Sequence, residues 1–278
     1  MAALTYQGTI DVFRGETVSV HSYSSPEAGE FVRSQIIETP HSLIVVDVQL
    51  SRQYAAEVRR YAESLGKPIS RVIISHMHPD HWLGIDAFKD LPLYALSEVI
   101  GHLEMLGDFW IGLKKEELGD QIPDQKVIPQ HVLQEGEEVI DGVKFVFRKV
   151  TQAECLANLM IELPEVKTLL PQDLVYNNIH LFVGELHGEN RDILCFDGWI
   201  KTLEQLKTED FELVIPGHGD PTDSSVFDRS IGFLKDAQQV FETAKDHQEF
   251  KARLIELYPH YKLPMLLDMS VLTLYKLM

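Results

Sequence analysis

The stretch His76-Met77-His78-Pro79-Asp80-His81 places four metal-ligating side chains within six residues. It follows the apolar run Val72-Ile73-Ile74 and precedes Trp82-Leu83-Gly84, so it reads as a loop leaving the end of a buried strand. In an extended segment, side chains at i and i+2 point the same way, so His76 and His78 can bite one metal from one side of the chain. Pro79 then forces a change of direction and lets Asp80 and His81 face a second position. Neutral imidazole and carboxylate suit zinc, iron and manganese, and two such ions can share a site of this kind. The competing reading is a histidine-rich loop with no metal; three imidazoles and a carboxylate this close together favour a metal-dependent enzyme.

Working outward, the segments before the cluster read as strands: Val18-Ser19-Val20, Phe31 to Glu38, and Leu43 to Val46 ending at Asp47. Their β-branched content and the breaker cluster Ser24-Ser25-Pro26 predict a meander. Ser51 reads as a helix N-cap, followed by Tyr54, Val58, Tyr61, Ala62 and Leu65 at helical spacing and closed by Gly66. Arg71 to Ser75 is the next strand, giving a βαβ-type unit with chemistry at the strand's C-terminal end. Residues 97–130, with Gly101, Gly107, Gly112 and Gly119, read as short helices and loops forming either a lid or an irregular insertion.

Beyond them, Glu138 to Val150 is β structure turning at Asp141-Gly142, the dipeptide of tight hairpins. Leu159 to Leu163 and Thr168 to Leu170 are short strands, and Asp197 caps a helix carrying Ile200, Leu203 and Leu206. Leu213-Val214-Ile215 runs into Pro216-Gly217-His218-Gly219. The tail is helical, with Phe233, Leu234, Ala237, Val240, Phe241 and Ala244 on one face. Asp173 and His218 read as residues on loops that end strands, and a glycine on each side of His218 lets the backbone pass close to a metal. Without repeats or a linker, the chain reads as one domain, 1–278, with a helical C-terminal extension over about 222–278.

The chain of 278 residues carries a net charge of −18, which argues against nucleic acid and anionic membrane surfaces as partners and leaves a small-molecule substrate. Two cysteines, Cys155 and Cys195, give neither a disulfide framework nor a zinc ribbon. Met1 to Gly8 lacks a basic start followed by an apolar core, and no run of 18 or more apolar residues occurs, so a cytoplasmic location is expected. The apolar segment Leu263 to Met278 suits a homo-oligomer interface as readily as the core. No Gly-x-Ser-x-Gly elbow and no phosphate-cradling glycine loop is present.

Taken together, His76-x-His78-x-Asp80-His81 after a strand ending in Asp47, then Asp173, then Gly217-His218-Gly219, resembles the metallo-β-lactamase superfamily over roughly Phe31 to Pro221. The resemblance implies an α/β fold, a four-layer αββα sandwich, with a dinuclear site along one edge. It implies that His76 and His78 hold the first ion, that Asp80, His81 and His218 hold the second, and that Asp173 bridges the two. The ions are expected to be zinc, with manganese or iron as alternatives.

Where the family usually supplies a third histidine to the first ion, this chain has Glu154. That carboxylate either ligates, shifting preference toward harder ions, or points away and leaves the first site weak. Gln172 also departs from the family, which commonly has a small residue before the bridging acid. Tyr176, three residues after Asp173, matches a spacing in the superfamily's lactonases, where a tyrosine hydroxyl polarises the substrate carbonyl; the competing reading, slightly favoured, is a residue that packs its ring and exposes its hydroxyl. His180 and His187 are expected to be structural or solvent-facing, and Cys155 a small buried residue.

The resemblance implies a hydrolase of an ester, lactone, thioester or amide, acting through a metal-bound hydroxide formed near neutral pH, with Asp80 holding the nucleophile. Two alternatives stand beside it. One is a mononuclear iron oxidoreductase of the same fold, similar to persulfide dioxygenases. The other is a non-catalytic metal-stabilised binding protein. Specificity is expected from the loops Tyr23 to Glu30 and Leu103 to Gln130.

Overall fold

The structure is a computed structural model and describes residues 5–277. Residues 1–4 of the segment Met1 to Gly8 read above for a leader, and the last residue of Leu263 to Met278, therefore lie outside the described residues. Among the described residues no helix is long and apolar enough to cross a membrane.

The chain is mixed α/β with two major sheets. The first has seven strands in sequential order: β1 (Thr9–Arg14), β2 (Ser19–Ser24), β3 (Arg33–Glu38), β4 (Leu43–Val46), β5 (Ile69–Ile74), β6 (Leu93–Ala95) and β7 (His131–Val132). β2 to β4 form the antiparallel meander expected, β1 adds a further antiparallel strand at its edge, and β4 to β7 run parallel. Helix α1 (Arg52–Ser64) makes the crossover between β4 and β5. It buries Tyr54, Ala55, Val58 and Ala62 on one face. Ser51 is its N-cap residue, with extended backbone, but its side chain makes no capping bond. The short helix α2 (Pro79–Trp82) follows β5.

The second sheet has five strands: β8 (Gly136–Ile140), β9 (Val143–Val150), β10 (Asn158–Leu163), β11 (Thr168–Asn177) and β14 (Leu213–Gly219), ordered β14-β11-β10-β9-β8. β8 and β9 pair around Asp141-Gly142, both at positive φ (52° and 85°), the left-handed pair a tight hairpin turn requires. A separate hairpin joins β12 (Leu186–His187) to β13 (Ile193–Leu194).

The remaining helices are α3 (Ser97–Leu118), α4 (Phe196–Leu206), α5 (Ser225–Thr243), α6 (His247–Leu257) and α7 (Met265–Leu274). The chain divides into two compact units, 1–148 with 159–166, and 149–158 with 167–278. In the first unit the core gathers Ile36, Ile37, Leu43 to Val46, Val72 to Ile74, Trp82 and Phe88. In the second it gathers Leu169, Leu174, Trp199, Val214, Ile215, Phe227, Phe233 and Leu234, and the Trp199 indole donates to the Leu174 carbonyl at 2.9 Å.

Several segments differ from the sequence reading. Residues 97–118 form one helix of 22 residues rather than short pieces. The glycines do not break it: Gly101 and Gly112 face open space, while Val99, Leu103, Gly107 and Ile111 face the core. Burial on that face outweighs the roughly 1 kcal/mol each glycine costs relative to alanine. The segment from Thr168 is a ten-residue strand reaching past Asp173, and His218 lies within β14, so neither residue sits on a loop. The α4 N-cap is Cys195, and Asp197 lies in the first turn instead. Strands β1, β6, β7, β12 and β13 have no counterpart in the sequence reading.

Candidate metal centre

In the first unit, the ends of the parallel neighbours β4 and β5 bring Asp47 to the ligand loop. Asp47 is fully buried with its backbone in the left-handed region (φ 58°). Its Oδ1 accepts from the Ser75 amide at 2.8 Å and its Oδ2 from the Ser75 hydroxyl at 2.7 Å. The same Oδ2 lies 2.9 Å from His81 Nδ1. A carboxylate only accepts, so Nδ1 of His81 carries the proton and Nε2 keeps its lone pair for a ligand. Because the Ser75 hydroxyl donates to Asp47, its oxygen accepts from His76 Nδ1, 2.9 Å away, and the same tautomer follows for His76.

His78 is the N-cap residue of α2, and Pro79 occupies the first helical position, where its missing N–H costs nothing. The turn gathers the imidazoles: the His76 ring lies 5.0 Å from that of His78 and 4.3 Å from that of His81. Asp80 Oδ2 is 3.3 Å from His81 Nε2. Asp47, His76 and His81 offer ligand atoms within 4.8 Å of one another. Backbone bonds fix the loop, from the Val48 amide to His81 (2.8 Å) and from the Gly84 amide to Gln49 (2.9 Å). A Cβ at Gly84 would fall 2.2 Å from the Val48 carbonyl oxygen, so that position takes only glycine.

In the second unit, Asp173 follows an irregularity in β11. Gln172 adopts φ 52°, and the pairing with β14 shifts register on either side of it. Such a bulge re-aims the next side chain. Asp173 Oδ2 accepts from the Tyr176 hydroxyl at 2.7 Å and lies 3.2 Å from His218 Nε2. The Tyr176 ring stacks on His218, centroids 4.9 Å apart and planes parallel within 1°. Its hydroxyl is 3.4 Å from Glu154 Oε1, and Glu154 and Asp173 offer carboxylate oxygens within 4.8 Å of each other. A Cβ at Gly217 would fall 1.8 Å from Asp173 Oδ1, so the glycine opens the space the carboxylate fills. The thiol of Cys155 is pushed up by burial and then by the Glu154 carboxylate beside it, which keeps it protonated.

The donor sets fit divalent ions. Two donors on one tetrahedral ion, each at about 2.0–2.1 Å, stand roughly 3.3 Å apart. Asp80 with His81 and Asp173 with His218 stand at 3.3 and 3.2 Å. Asp47 and Ser75 stand outside the predicted ligand set, and the acid that ends the apolar strand Leu43 to Val46 is the sequence signal that points to Asp47.

The sequence model of the metallo-beta-lactamase superfamily matches residues 29–218. A linear primary-alkylsulfatase of Pseudomonas sp. (strain ATCC 19151) is 25% identical over 223 residues, which cover 67% of this chain and 41% of that protein. The chain thus spans less than half the length of that relative. The DIM-1 metallo-beta-lactamase superposes with a TM-score of 0.59 at 17% identity, over 84% of this chain and 99% of that one. A metallo-beta-lactamase from Pontibacter korlensis gives 0.59 at 17%, over 82% and 100%. FIM-1 from Pseudomonas aeruginosa, in its mono-zinc form, gives 0.59 at 16%, over 84% and 96%. These structures share the α/β fold described above, and the match across residues 29–218 settles the family: the chain belongs to the metallo-beta-lactamase superfamily.

Proposed function

We propose that this protein is a metal-dependent hydrolase of a small-molecule ester. The observation that carries the reading is the pair of acid–imidazole couples, Asp80 with His81 and Asp173 with His218, each spaced as donors to one ion are. His76, His78 and Glu154 would hold a first divalent ion, Asp80, His81 and His218 a second, and Asp173 both. When bound, the ions supply Lewis acidity and lower a water's pKa toward roughly 7.

The residues then divide the work. Asp47 and Ser75 hold His81 and His76 in the tautomer that leaves Nε2 as the donor. Tyr176 holds the Asp173 carboxylate through its hydroxyl, which favours a positioning role for it over contact with substrate. Asp80, partly exposed at its carboxylate (13%), is suited to accept a proton from the attacking water and return it to the leaving group.

The alkylsulfatase likeness favours a sulfate monoester of an alcohol as substrate, and carboxylic esters, lactones, thioesters and amides are the broader set. A carboxylate at Glu154 also supports a second reading, an iron oxidoreductase of this fold.

The test is turnover of a panel holding an alkyl sulfate, an aryl acetate, a lactone and a thioester. It compares wild type, His78→Ala and Asp173→Ala, with metal content measured on each. The expected result is hydrolysis that stops on chelation, returns with zinc or manganese, and is lost in both variants while their circular dichroism stays native. Native turnover in either variant under limiting metal would overturn the reading. One iron per chain with oxygen uptake and no hydrolysis would replace it with the second.

A further inference from the structure

Glu154 lies on the connection 151–157 between β9 and β10, which has no regular secondary structure, yet the side chain is fully buried. A ligand on irregular backbone needs its position fixed from outside. Two elements of the same unit do this. On one side stands His187, 3% exposed, whose Nε2 is 2.8 Å from the carbonyl oxygen of Ala153, the residue preceding Glu154. A carbonyl only accepts, so this nitrogen carries the proton and donates. On the other side stands Gly198, in the first turn of α4. A Cβ there would fall 2.0 Å from the Gln152 carbonyl oxygen, so the connection rests directly on the helix. Gln152 itself takes φ 58°.

The hairpin that carries His187 is tied on itself. His187 pairs with Ile193, and the Asp192 amide donates to the His187 carbonyl at 3.1 Å. The Arg191 amide donates to Gly188 at 3.1 Å, and Gly188 takes the φ of 83° that the turn needs. Arg191 also pairs with the buried Glu185 at 3.1 Å, across the base of the turn. The imidazole is thus presented from a closed element rather than a free loop.

We propose that His187 is a positioning residue for Glu154. By gripping the carbonyl one residue upstream, it fixes the direction of the Glu154 carboxylate and so sets the affinity of one of the two ion positions without touching an ion. This rests on the reading above that Glu154 is a ligand. Partners that orient a ligand change metal affinity by about 10–100-fold when removed.

The test is zinc titration of the full-length metal-free protein against a competing chromogenic chelator, with thermal unfolding of the same metal-free samples. Wild type is compared with Glu154→Gln, His187→Ala and His187→Gln. The expected result is two affinities in wild type, one of them weakened in Glu154→Gln. His187→Ala weakens that same affinity by about 10–100-fold and leaves the other in place. His187→Gln, whose amide can donate to the same carbonyl, recovers most of the loss. Should His187→Ala fail to fold, His187→Leu offers similar bulk with no donor and carries the same comparison.

Wild-type affinities in the Ala or Leu variant, beside a weakened Glu154→Gln, would overturn the proposal and leave the ligand reading standing. An equal loss at both positions, with a lowered unfolding temperature that Gln does not restore, would reduce His187 to ordinary packing and also overturn it. Two unchanged affinities in Glu154→Gln would overturn the ligand reading itself.

Discussion

His81 Nδ1 lies 2.9 Å from Asp47 Oδ2, and the same carboxylate receives both the amide and the hydroxyl of Ser75. One buried acid thereby sets the tautomers of two imidazoles, His81 directly and His76 through Ser75. Asp47→Asn keeps the shape but puts an NH2 where one acceptor oxygen stood, facing donors. Metal affinity is expected to fall by about 10–100-fold, as read by zinc titration. Asp47→Ala strands the buried donors and is expected to cost about 1–3 kcal/mol per unsatisfied group in chemical unfolding of the metal-free protein. Wild-type metal affinity in both variants would show that the imidazoles orient themselves.

Gly217 makes room for Asp173. In Gly217→Ala the new methyl would fall 1.8 Å from Asp173 Oδ1, so the carboxylate must move. A displacement of about 1 Å in a catalytic constellation costs on the order of 100-fold in rate, and turnover of the best panel substrate should drop at least that far. Gly232→Ala is the matched control, since a Cβ there meets nothing within 4 Å on helix α5. It should stabilise by about 0.5–1 kcal/mol and leave turnover unchanged. Equal activity in the two variants would mean that the space beside Asp173 has no function.

Burial pushes His180 down to about 4, among rings that include Phe233 at 5.9 Å and Tyr261 at 5.7 Å. The unfolded chain protonates this residue near pH 6.5, so between about 6.5 and about 4 the unfolded state binds the extra proton. The contribution is complete above about pH 6.5 and is lost as pH falls toward about 4. Between about pH 7.5 and about 4.5, the melting temperature of metal-free wild type should fall further than that of His180→Phe, so the difference between the two changes with pH. Parallel curves would show that the imidazole does not titrate on unfolding.

What the sequence disclosed is what is local in it. His76 to His81 announce themselves within one turn of chain, and the β4–α1–β5 crossover shows in unbroken apolar periodicity. Asp141-Gly142 marks its turn because few other residues tolerate two successive left-handed positions. The longer α3 is hidden because its glycines look like breaks until Gly101 and Gly112 are seen to face open space and Gly107 the core. Asp173 reads as a loop residue because the bulge at Gln172 interrupts the period-two pattern that would carry the strand through it. His187 was invisible as a partner because the group it grips is a backbone carbonyl 34 residues away, which leaves no trace in residue type.

The ligand loop has a consequence for how the chain folds. His76, His78, Asp80 and His81 stay within six residues of one another even when every strand has come apart, whereas Asp173 and His218 are 45 residues apart and meet only in the finished structure. The denatured chain therefore keeps a chelating peptide of its own. Any ion it captures there offsets part of the stabilisation the native centre provides, because binding to the unfolded state subtracts from the linkage. Refolding with excess zinc should load the local ligands first and leave the distant ones to arrive on an occupied loop. Folding the chain metal-free and adding the ion last separates the two events, and gives the cleaner route to a fully loaded protein.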